Sequence, residues 1–315
     1  MMAADYSKLL DDETKAFVER TNAFYPPDTV DYTIAQQRDI YDLMCREFFA
    51  GYPGGMTAET AAIATPTHRI PIRIYRAVKA DPAAMVLYYH GGGFILGGLD
   101  SHDDVCAEIC ARTGYEVVSV DYRLAPEHVH PEPAEDAFAA FEWAAKTYGQ
   151  PIVLAGDSAG GNLAAGVAQK ARRHAHAPIG QMLIYPGLGG DITRGSYVTH
   201  ADAPMLTMRD MIFYKDVRTG GVDFSADPSY VPLADPDLTG VPPTVIITAE
   251  CDPLSSDGET YRDRILAAGG KAMWREETGL VHGYLRGRHS VTRARESFTR
   301  IVEAVKALGK GEWVW

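Results

Sequence analysis

The sequence is poor in cysteine and has no long apolar run. Only four cysteines occur in 315 residues, and no nearby histidine or further cysteine completes a tetrahedral metal set. We therefore expect buried free thiols, with Cys106 and Cys110 one turn apart on a helix. No stretch approaches the roughly 18 apolar residues of a membrane span, and residues 1–6 lack the basic and apolar regions of a signal peptide. These absences predict a cytoplasmic protein.

Basic residues are outnumbered, because 30 Lys and Arg stand against 42 Asp and Glu, a formal net charge of -12. Nucleic acids and anionic membranes need clustered Lys and Arg, so we expect neither as a partner. A small neutral substrate fits better. Hydrophobic residues at 46% and charged residues at 23% are typical of a soluble globular chain. The length suits one α/β domain with an added cap. A homodimer is a possible assembly.

Short apolar, β-branched runs alternate with longer helical patterns along most of the chain. This alternation is typical of a mostly parallel central sheet with helices on both faces, the α/β class. The near-continuous apolar run 85–89 indicates a strand covered on both faces. Strands are predicted at 72–76, 85–89, 117–121, 152–155, 182–185, 244–249 and 272–275, and helices at 133–148, 159–174, 258–268 and 289–307.

Two segments do not follow this alternation. Residues 1–55 contain amphipathic helical patterns near 12–22 and 34–50, and residues 187–232 are irregular and aromatic. Segments above the carboxyl ends of strands are where such folds place substrate lids. We therefore predict an N-terminal helical cap segment at 1–55, followed by a domain at 56–315 with a second cap insertion at about 187–232. A packed terminal extension is the alternative for the first segment.

The strongest local signal is the segment 156–161, which reads Gly-Asp-Ser-Ala-Gly-Gly between a predicted strand and a predicted helix. A nucleophilic serine must project from a tight strand-to-helix turn, and small residues two positions before and after it let the backbone close. The helix that starts there directs N–H groups at developing negative charge. The motif and its context predict Ser158 as the nucleophile.

A second signal, His-Gly-Gly-Gly-Phe at 90–94, directly follows the predicted strand 85–89. Three successive glycines can turn several backbone N–H groups into one cavity, where they bind an oxyanion. A flexible glycine-rich turn is the alternative. A phosphate-binding loop is disfavoured because no Gly-Lys-Ser/Thr completes it. His90 precedes the nucleophile in sequence, so we expect it to anchor this loop rather than act as a base.

The base must follow the serine, because this arrangement uses the order Ser, Asp/Glu, His. His282 falls in a loop after the last predicted strand and before the terminal helix, where an imidazole can reach Ser158. His289 is typical of a helix surface. We predict His282 as the base over the other histidines that follow the serine, which are His174 and His176 on the nucleophile helix or its exit, His200 in the second cap segment, and His289.

The acid is predicted at the carboxyl end of strand 244–249. Asp252 stands there, and Pro253 begins the next turn with its φ already restricted. Asp257 and Glu259 are the alternatives, but we expect them to cap or line the following helix. The sequence therefore predicts Ser158, Asp252 and His282 as the catalytic set.

These blocks together resemble the hormone-sensitive-lipase-like family of bacterial esterases, over roughly residues 80–310. The matching blocks, in the family's order, are 90–94 with Gly97 and Gly98, Asp-Tyr-Arg-Leu-Ala-Pro-Glu at 121–127, 156–161, Asp-Pro-Leu at 252–254, and His-Gly at 282–283. The resemblance implies an α/β-hydrolase fold, a framework role for 121–127, and no metal or organic cofactor. It also implies that the N–H groups of Gly92, Gly93 and Ala159 hold the oxyanion. The segment 128–131 departs from the family's small-residue pattern, which predicts an altered loop near the site.

The resulting expectation is a serine carboxylester hydrolase that forms an acyl-serine intermediate and cleaves water-soluble esters with acyl chains of about two to six carbons. Bulky side chains in the two cap segments predict a closed apolar pocket, although they can equally form the cap's own core. An amide or carbamate deacylase that uses the same catalytic residues is an alternative function. A non-catalytic receptor is disfavoured because the plant gibberellin receptor, which resembles this family, has lost the histidine that His282 supplies here. The bulky residues are Phe24, Tyr25, Phe48, Phe49, Tyr52, Tyr197, Met205, Phe213 and Tyr214.

Overall fold

In the computed structural model, which describes residues 4–315, the centre is one sheet of eight strands in the order β1-β2-β4-β3-β5-β6-β7-β8. β2 pairs antiparallel with β1 and with β4, and all other neighbours are parallel. The strands are β1 Met56–Ala64, β2 Arg69–Ala77, β3 Met85–Tyr89, β4 Glu116–Val120, β5 Ile152–Asp157, β6 Gly180–Ile184, β7 Thr244–Cys251 and β8 Ala272–Val281.

Helices connect the strands and cover both faces of the sheet. α4 and α10 pack on one face, and α5, α6 and α9 pack on the other, each against alternate apolar side chains of the strands. This confirms the mostly parallel sheet with helices on both faces. The helices are α1 Tyr6–Leu9, α2 Asp12–Phe24, α3 Ile34–Phe48, α4 Asp103–Thr113, α5 Glu132–Thr147, α6 Ala159–Ala171, α7 Ser196–Thr199, α8 Met208–Thr219, α9 Ser255–Ala267 and α10 Thr292–Gly309, with 3₁₀ turns at Thr29–Asp31, Pro232–Ala234 and Tyr284–His289.

All seven predicted strands are present, but β1 was missed. Its residues are small and polar and mostly exposed, so they show no apolar alternation. β1 forms because its backbone pairs along its whole length with β2, at the edge of the sheet. Pairing of this kind is decided by the neighbouring strand and leaves no periodic signal in the sequence.

The two segments outside the alternation meet above the loop that follows β3. Tyr41 and Met44 of α3 pack with Ile95 and Leu96 of that loop, and Tyr214 of α8 packs against the same cluster. The second segment, expected to be irregular, thus contains a regular helix, α8. An N-terminal capping box stabilises α8, because the side chain of Thr207 accepts from the third helical N–H and Asp210 accepts from Thr207 in return.

The four cysteines are buried free thiols, as the sequence predicts, and Cys106 and Cys110 lie one turn apart on α4. Across residues 4–315, none of the helices combines the length and the apolar character that crossing a bilayer requires.

Candidate active site

Ser158 occupies the sharp turn between β5 and α6. Its backbone has φ +53° and ψ -117°, a conformation that non-glycine residues rarely adopt. The turn needs small neighbours, because a Cβ at Gly160 would lie 1.9 Å from the carbonyl oxygen of Tyr89. The Ser158 N–H donates to the carbonyl of Ile184 at 2.9 Å, which ties the turn to β6. The strand-turn-helix context predicted for this serine is therefore present.

His282 and Asp252 are brought to Ser158 by the ends of β8 and β7. The Nε2 atom of His282 lies 2.9 Å from the Ser158 Oγ, and its Nδ1 atom lies 2.7 Å from Asp252 Oδ2. Asp252 is fully buried, and its other carboxylate oxygen accepts from the N–H of Leu254 at 2.9 Å. The carboxylate is thus held on both oxygens, so it fixes the orientation of the imidazole ring.

The other candidate acids and bases lie elsewhere. Asp257 is buried in α9, where it accepts from the N–H groups of 188–190 and from the Tyr197 hydroxyl. It lies in the first turn of α9, where a residue that caps or lines the helix was expected, and its hydrogen bonds fix the loop after β6. His200 contacts the Tyr6 hydroxyl, and His289 is exposed and pairs with Glu108.

The glycines after β3 form a turn that lines the nucleophile's cavity. Gly92 and Gly93 have φ of +128° and +62°, and a Cβ on Gly92 would lie 2.2 Å from the Leu96 carbonyl oxygen, which only glycine avoids. Within residues 4–315, neither of their N–H groups has an acceptor. Ala159 is the first residue of α6, so its N–H also has no intrahelical partner. All three line the same cavity as Ser158.

A buried polar network supports this loop from below. Asp157 accepts from the Gly91 N–H at 2.9 Å and from the Tyr88 hydroxyl at 2.8 Å, and it pairs with His102 at 3.1 Å. Burial opposes its ionisation, but the charge and hydrogen bond of His102 prevail and hold the pKa of Asp157 well below its usual range. His90 stacks on a tyrosine beneath the loop, with its Nδ1 2.8 Å from the Gly91 carbonyl, and burial lowers its pKa to about 4. His90 is therefore placed as an anchor rather than as a base.

The cavity above Ser158 has a volume of about 660 Å³. It lies between the sheet and the two segments 1–55 and 187–232. Of the nine bulky side chains expected over the serine, the cavity is lined by Tyr25, Tyr197, Met205 and Tyr214. The rest lie outside it, and Phe49 and Tyr52 are 45% and 42% exposed. Both readings of these residues are thus partly correct, because some form the wall and others form the support behind it.

The segment 128–131, predicted to form an altered loop, contacts residues of 187–232. The His130 Nε2 atom lies 2.9 Å from Asp227 Oδ2, and its ring packs edge-on against Phe224 and Tyr230. The His130 N–H also donates to the carbonyl of Arg218 at the end of α8. This segment therefore contacts residues of the cavity wall, Phe224, Tyr230 and Arg218.

Sequence reasoning did not identify several residues of the site. Tyr185 packs its ring 4.8 Å from that of His282, and Arg218 and Arg286 line the cavity. None of these three residues lies inside one of the motifs, so no local signal in the sequence identified them. Asp157 was visible only as the variable position of the serine motif. Among the described residues 4–315, no group of three or more His, Cys, Asp or Glu side chains is arranged to hold a metal ion.

Comparison with known proteins agrees with this geometry. The family model described as the alpha/beta hydrolase fold matches residues 86–286. Carboxylesterase NlhH of Mycobacterium tuberculosis is 42% identical over 75% of this chain and 78% of its own length. An ethyl acetate hydrolase of Pseudomonas putida is 34% identical over 76% of this chain and 79% of its own. The crystal structure of a hyperthermophilic esterase from the archaeon Pyrobaculum calidifontis has a TM-score of 0.87 at 32% identity, covering 96% of this chain and 99% of that one.

The family match covers more than half of the chain, and the structural match extends over nearly all of it. The names of these relatives describe ester hydrolases, the class of enzyme that the motifs at 90–94, 156–161 and 282–283 predict. This chain belongs to the α/β-hydrolase family of hormone-sensitive-lipase-like bacterial esterases that its motifs resemble.

Proposed function

We propose that this carboxylesterase uses Ser158 as its nucleophile, His282 as its general base and Asp252 as the group that orients the base. The observation that carries the proposal is the continuous line of hydrogen bonds, with 2.9 Å from serine to imidazole and 2.7 Å from imidazole to carboxylate. Both distances lie in the range in which a proton can pass from a hydroxyl to a histidine.

In the first half of the reaction, the Oγ of Ser158 attacks the ester carbonyl carbon while its proton passes to the Nε2 of His282. The N–H groups of Gly92, Gly93 and Ala159 stabilise the oxyanion that forms. The same proton then goes to the leaving alkoxide, and the carbon–oxygen bond to the alcohol breaks. In the second half, His282 takes a proton from water, hydroxide attacks the acyl-serine, and the acid leaves as Ser158 regains its proton.

We further propose that residues 1–55 and 187–232 form one cap that limits the substrate to short-acyl, water-soluble esters of about two to six carbons. The Tyr25 and Tyr214 hydroxyls, one from each segment, lie 3.2 Å apart and support a joint wall. Tyr214 also lies against the oxyanion loop, since a Cβ on Gly93 would be 2.9 Å from its ring. The ethyl acetate hydrolase among the relatives supports the same substrate class.

A series of 4-nitrophenyl esters from acetate to palmitate tests this substrate range. The kcat/KM should peak within about two to six acyl carbons and collapse for palmitate, because each methylene gains at most about 0.8 kcal/mol and only until the pocket is full. A maximum at twelve or more carbons, or activation at an oil–water interface, would contradict the proposal.

The nucleophile is tested by Ser158→Ala, with Ser290→Ala as the matched control on an exposed turn. Ser158→Ala should lower kcat by roughly 10⁴- to 10⁶-fold with an unchanged circular dichroism spectrum, because the other two residues then have nothing to activate. The Ser290→Ala variant should keep its activity. If Ser158→Ala retained more than about a hundredth of kcat, another nucleophile would have to carry the reaction.

A cytoplasmic location and a homodimer complete the proposal. Four buried free thiols support a reducing compartment, and β8 at the edge of the sheet leaves one row of backbone groups available for a second copy. Cell fractionation tests the location. Light scattering behind size-exclusion chromatography tests the assembly, where a single mass near 34.4 kDa would exclude the dimer.

A further inference from the structure

Arg218, near the end of α8, is a buried cation in the wall of the cavity. Only 6% of the residue is exposed, and it lines the same space as Ser158. Its guanidinium lies between two aromatic rings, 3.4 Å from the centroid of Phe94 and 4.2 Å from that of Tyr230. Phe94 directly follows the oxyanion glycines. The charge of Arg218 therefore lies against the residue that follows the proposed oxyanion glycines.

The hydrogen-bond partners of Arg218 are all neutral. Its Nη2 donates to the side-chain oxygen of Asn162 at 3.1 Å, and its Nη1 donates to the carbonyl of Tyr230 at 3.5 Å. Its Nε is buried and has no partner within residues 4–315. Burial lowers the pKa of Arg218 to about 9, in the direction expected for a cation that has lost its water.

Another buried arginine of this chain, Arg288, has the carboxylate partners that Arg218 lacks among the described residues. Arg288, 2% exposed, pairs with Asp104 at 2.7 Å and with Glu108 at 2.9 Å. Among the described residues, by contrast, no carboxylate lies within 4 Å of the Arg218 guanidinium. A buried cation is costly unless an anion or a full set of acceptors accompanies it. Aromatic contact offsets part of that cost, but the free N–H of Nε remains.

We propose that Arg218 binds a carboxylate of the substrate, so that the preferred substrates are half-esters, short esters that carry a second, free carboxylate. This inference rests on the proposed esterase function and specifies its substrate class. The guanidinium lies against Asn162, which is one turn beyond Ser158 on α6. A carboxylate held there would direct the scissile ester toward the nucleophile. The carboxylate would contact the terminal Nη groups, and guanidinium–carboxylate pairs are among the strongest hydrogen bonds in proteins.

The test compares matched substrates that differ in charge and hardly in shape. The first pair is the mono-4-nitrophenyl ester of adipic acid and 4-nitrophenyl 6-methylheptanoate, in which an isopropyl group replaces the carboxylate. The second pair places the charge in the leaving group, with 3-carboxyphenyl acetate against 3-isopropylphenyl acetate. Each rate is corrected for hydrolysis without enzyme. The readout is the ratio of kcat/KM for the charged ester to that for its neutral partner.

The wild-type protein should favour the charged ester in at least one pair by about 10- to 100-fold, the effect of a charge-assisted hydrogen bond in a desolvated site. Arg218→Met should abolish this ratio, and Arg218→Gln, which keeps hydrogen-bonding groups beside Asn162, should abolish it too. The matched control is Arg209→Met on the same helix, because the Arg209 side chain is 60% exposed and pairs with Asp31. Arg209→Met should leave the ratio unchanged.

The ratio compares two substrates of one preparation, so a loss of folded protein cancels from it. A wild-type ratio of one or less in both pairs overturns the inference without any variant. A ratio that survives in Arg218→Met, or that disappears instead in Arg286→Met, assigns the charge preference to another group and also overturns it. If Arg218 only joined α8 to α6, its variants would lower the unfolding midpoint but not the ratio. If neither ester of a pair is hydrolysed, the proposed esterase function itself fails.

Discussion

The loops at the carboxyl ends of the strands and the cap differ in what holds them. Around Ser158, backbone atoms approach so closely that a Cβ at Gly160 would lie 1.9 Å from a carbonyl oxygen. The two segments of the proposed cap meet through side chains such as the Tyr25 and Tyr214 hydroxyls, and they leave Leu43, Ile212 and Val222 more than half exposed. The proposed catalytic geometry therefore depends on the backbone of rigid strands. The shape of the pocket depends on a few side chains that can be replaced without disturbing the strands.

This difference predicts different consequences for substitutions. A change in the strand-end loops removes an interaction made in the transition state and should appear in kcat. A change in the cap alters contacts with the remote part of the substrate and should appear in the choice between substrates. Tyr214 and Arg218, neighbours by one turn of α8, both belong to the second class.

The largest expected effect compares two buried aspartates five residues apart. Asp252→Asn should lower kcat by roughly 10⁴-fold, because an amide cannot hold the imidazole in the tautomer that accepts the serine proton. Asp257→Asn should lower kcat by less than about tenfold. It should instead destabilise the fold by about 1–3 kcal/mol, since the new amide N–H groups face the three backbone donors of 188–190. Stopped-time ester assays and urea unfolding measure the two effects.

Combining Asp252→Asn with Ser158→Ala should add little to the loss of Ser158→Ala alone, because residues that act as a unit are not additive. Additive losses, or similar kcat values for the two aspartate variants, would break the distinction between the groups that react and those that support them.

A smaller effect is expected from two adjacent aromatics of α8. Tyr214 lines the cavity, whereas Phe213 packs behind it and does not. Tyr214→Ala should move the preferred acyl length upward by about two to four carbons, with kcat/KM for octanoate rising about tenfold relative to butyrate. Phe213→Ala should lower stability and leave the preferred length unchanged. Equal shifts in both variants would mean that the cap responds as a whole and that no single side chain sets the limit.

The smallest effect concerns the pH dependence of stability beneath the glycine turn after β3. Burial, with a contribution from His102, lowers the pKa of His90 to about 4, below the ordinary value of about 6.5. Between these values the unfolded chain binds a proton that the folded chain excludes, so this contribution to stability is lost as pH falls from about 6.5 to about 4. His90→Gln should reduce the loss in unfolding free energy between pH 7 and pH 5 by about 2 kcal/mol.

Urea unfolding at the two pH values measures that change, and His176→Gln, on an exposed turn, is the control. The control should show the same pH dependence as the wild-type protein. A His90→Gln variant that loses as much stability as the wild type on acidification would contradict the account of His90 as a neutral, buried anchor.

Much of the fold and of the proposed site could be predicted because the signals are local. The strands 85–89 and 152–155 are continuous apolar runs, and the motifs 90–94 and 156–161 follow them directly. Asp252 could be placed because it follows the apolar strand 244–249, and His282 because it precedes the terminal helix. β1 could not be predicted, because an exposed edge strand shows no alternation of apolar and polar residues.

The sequence by itself determined the seven strands β2 to β8, the strand-to-helix turn of the serine and the glycine turn after β3, because each depends on residues adjacent in the chain. Only the tertiary structure decided which aromatics face the cavity, that Asp257 fixes the loop 188–190, and that buried Arg218 has no carboxylate partner among residues 4–315. Those contacts join residues far apart in sequence, such as Tyr25 with Tyr214 and Asn162 with Arg218. Such pairs are selected by packing in three dimensions, and packing leaves no pattern along the chain.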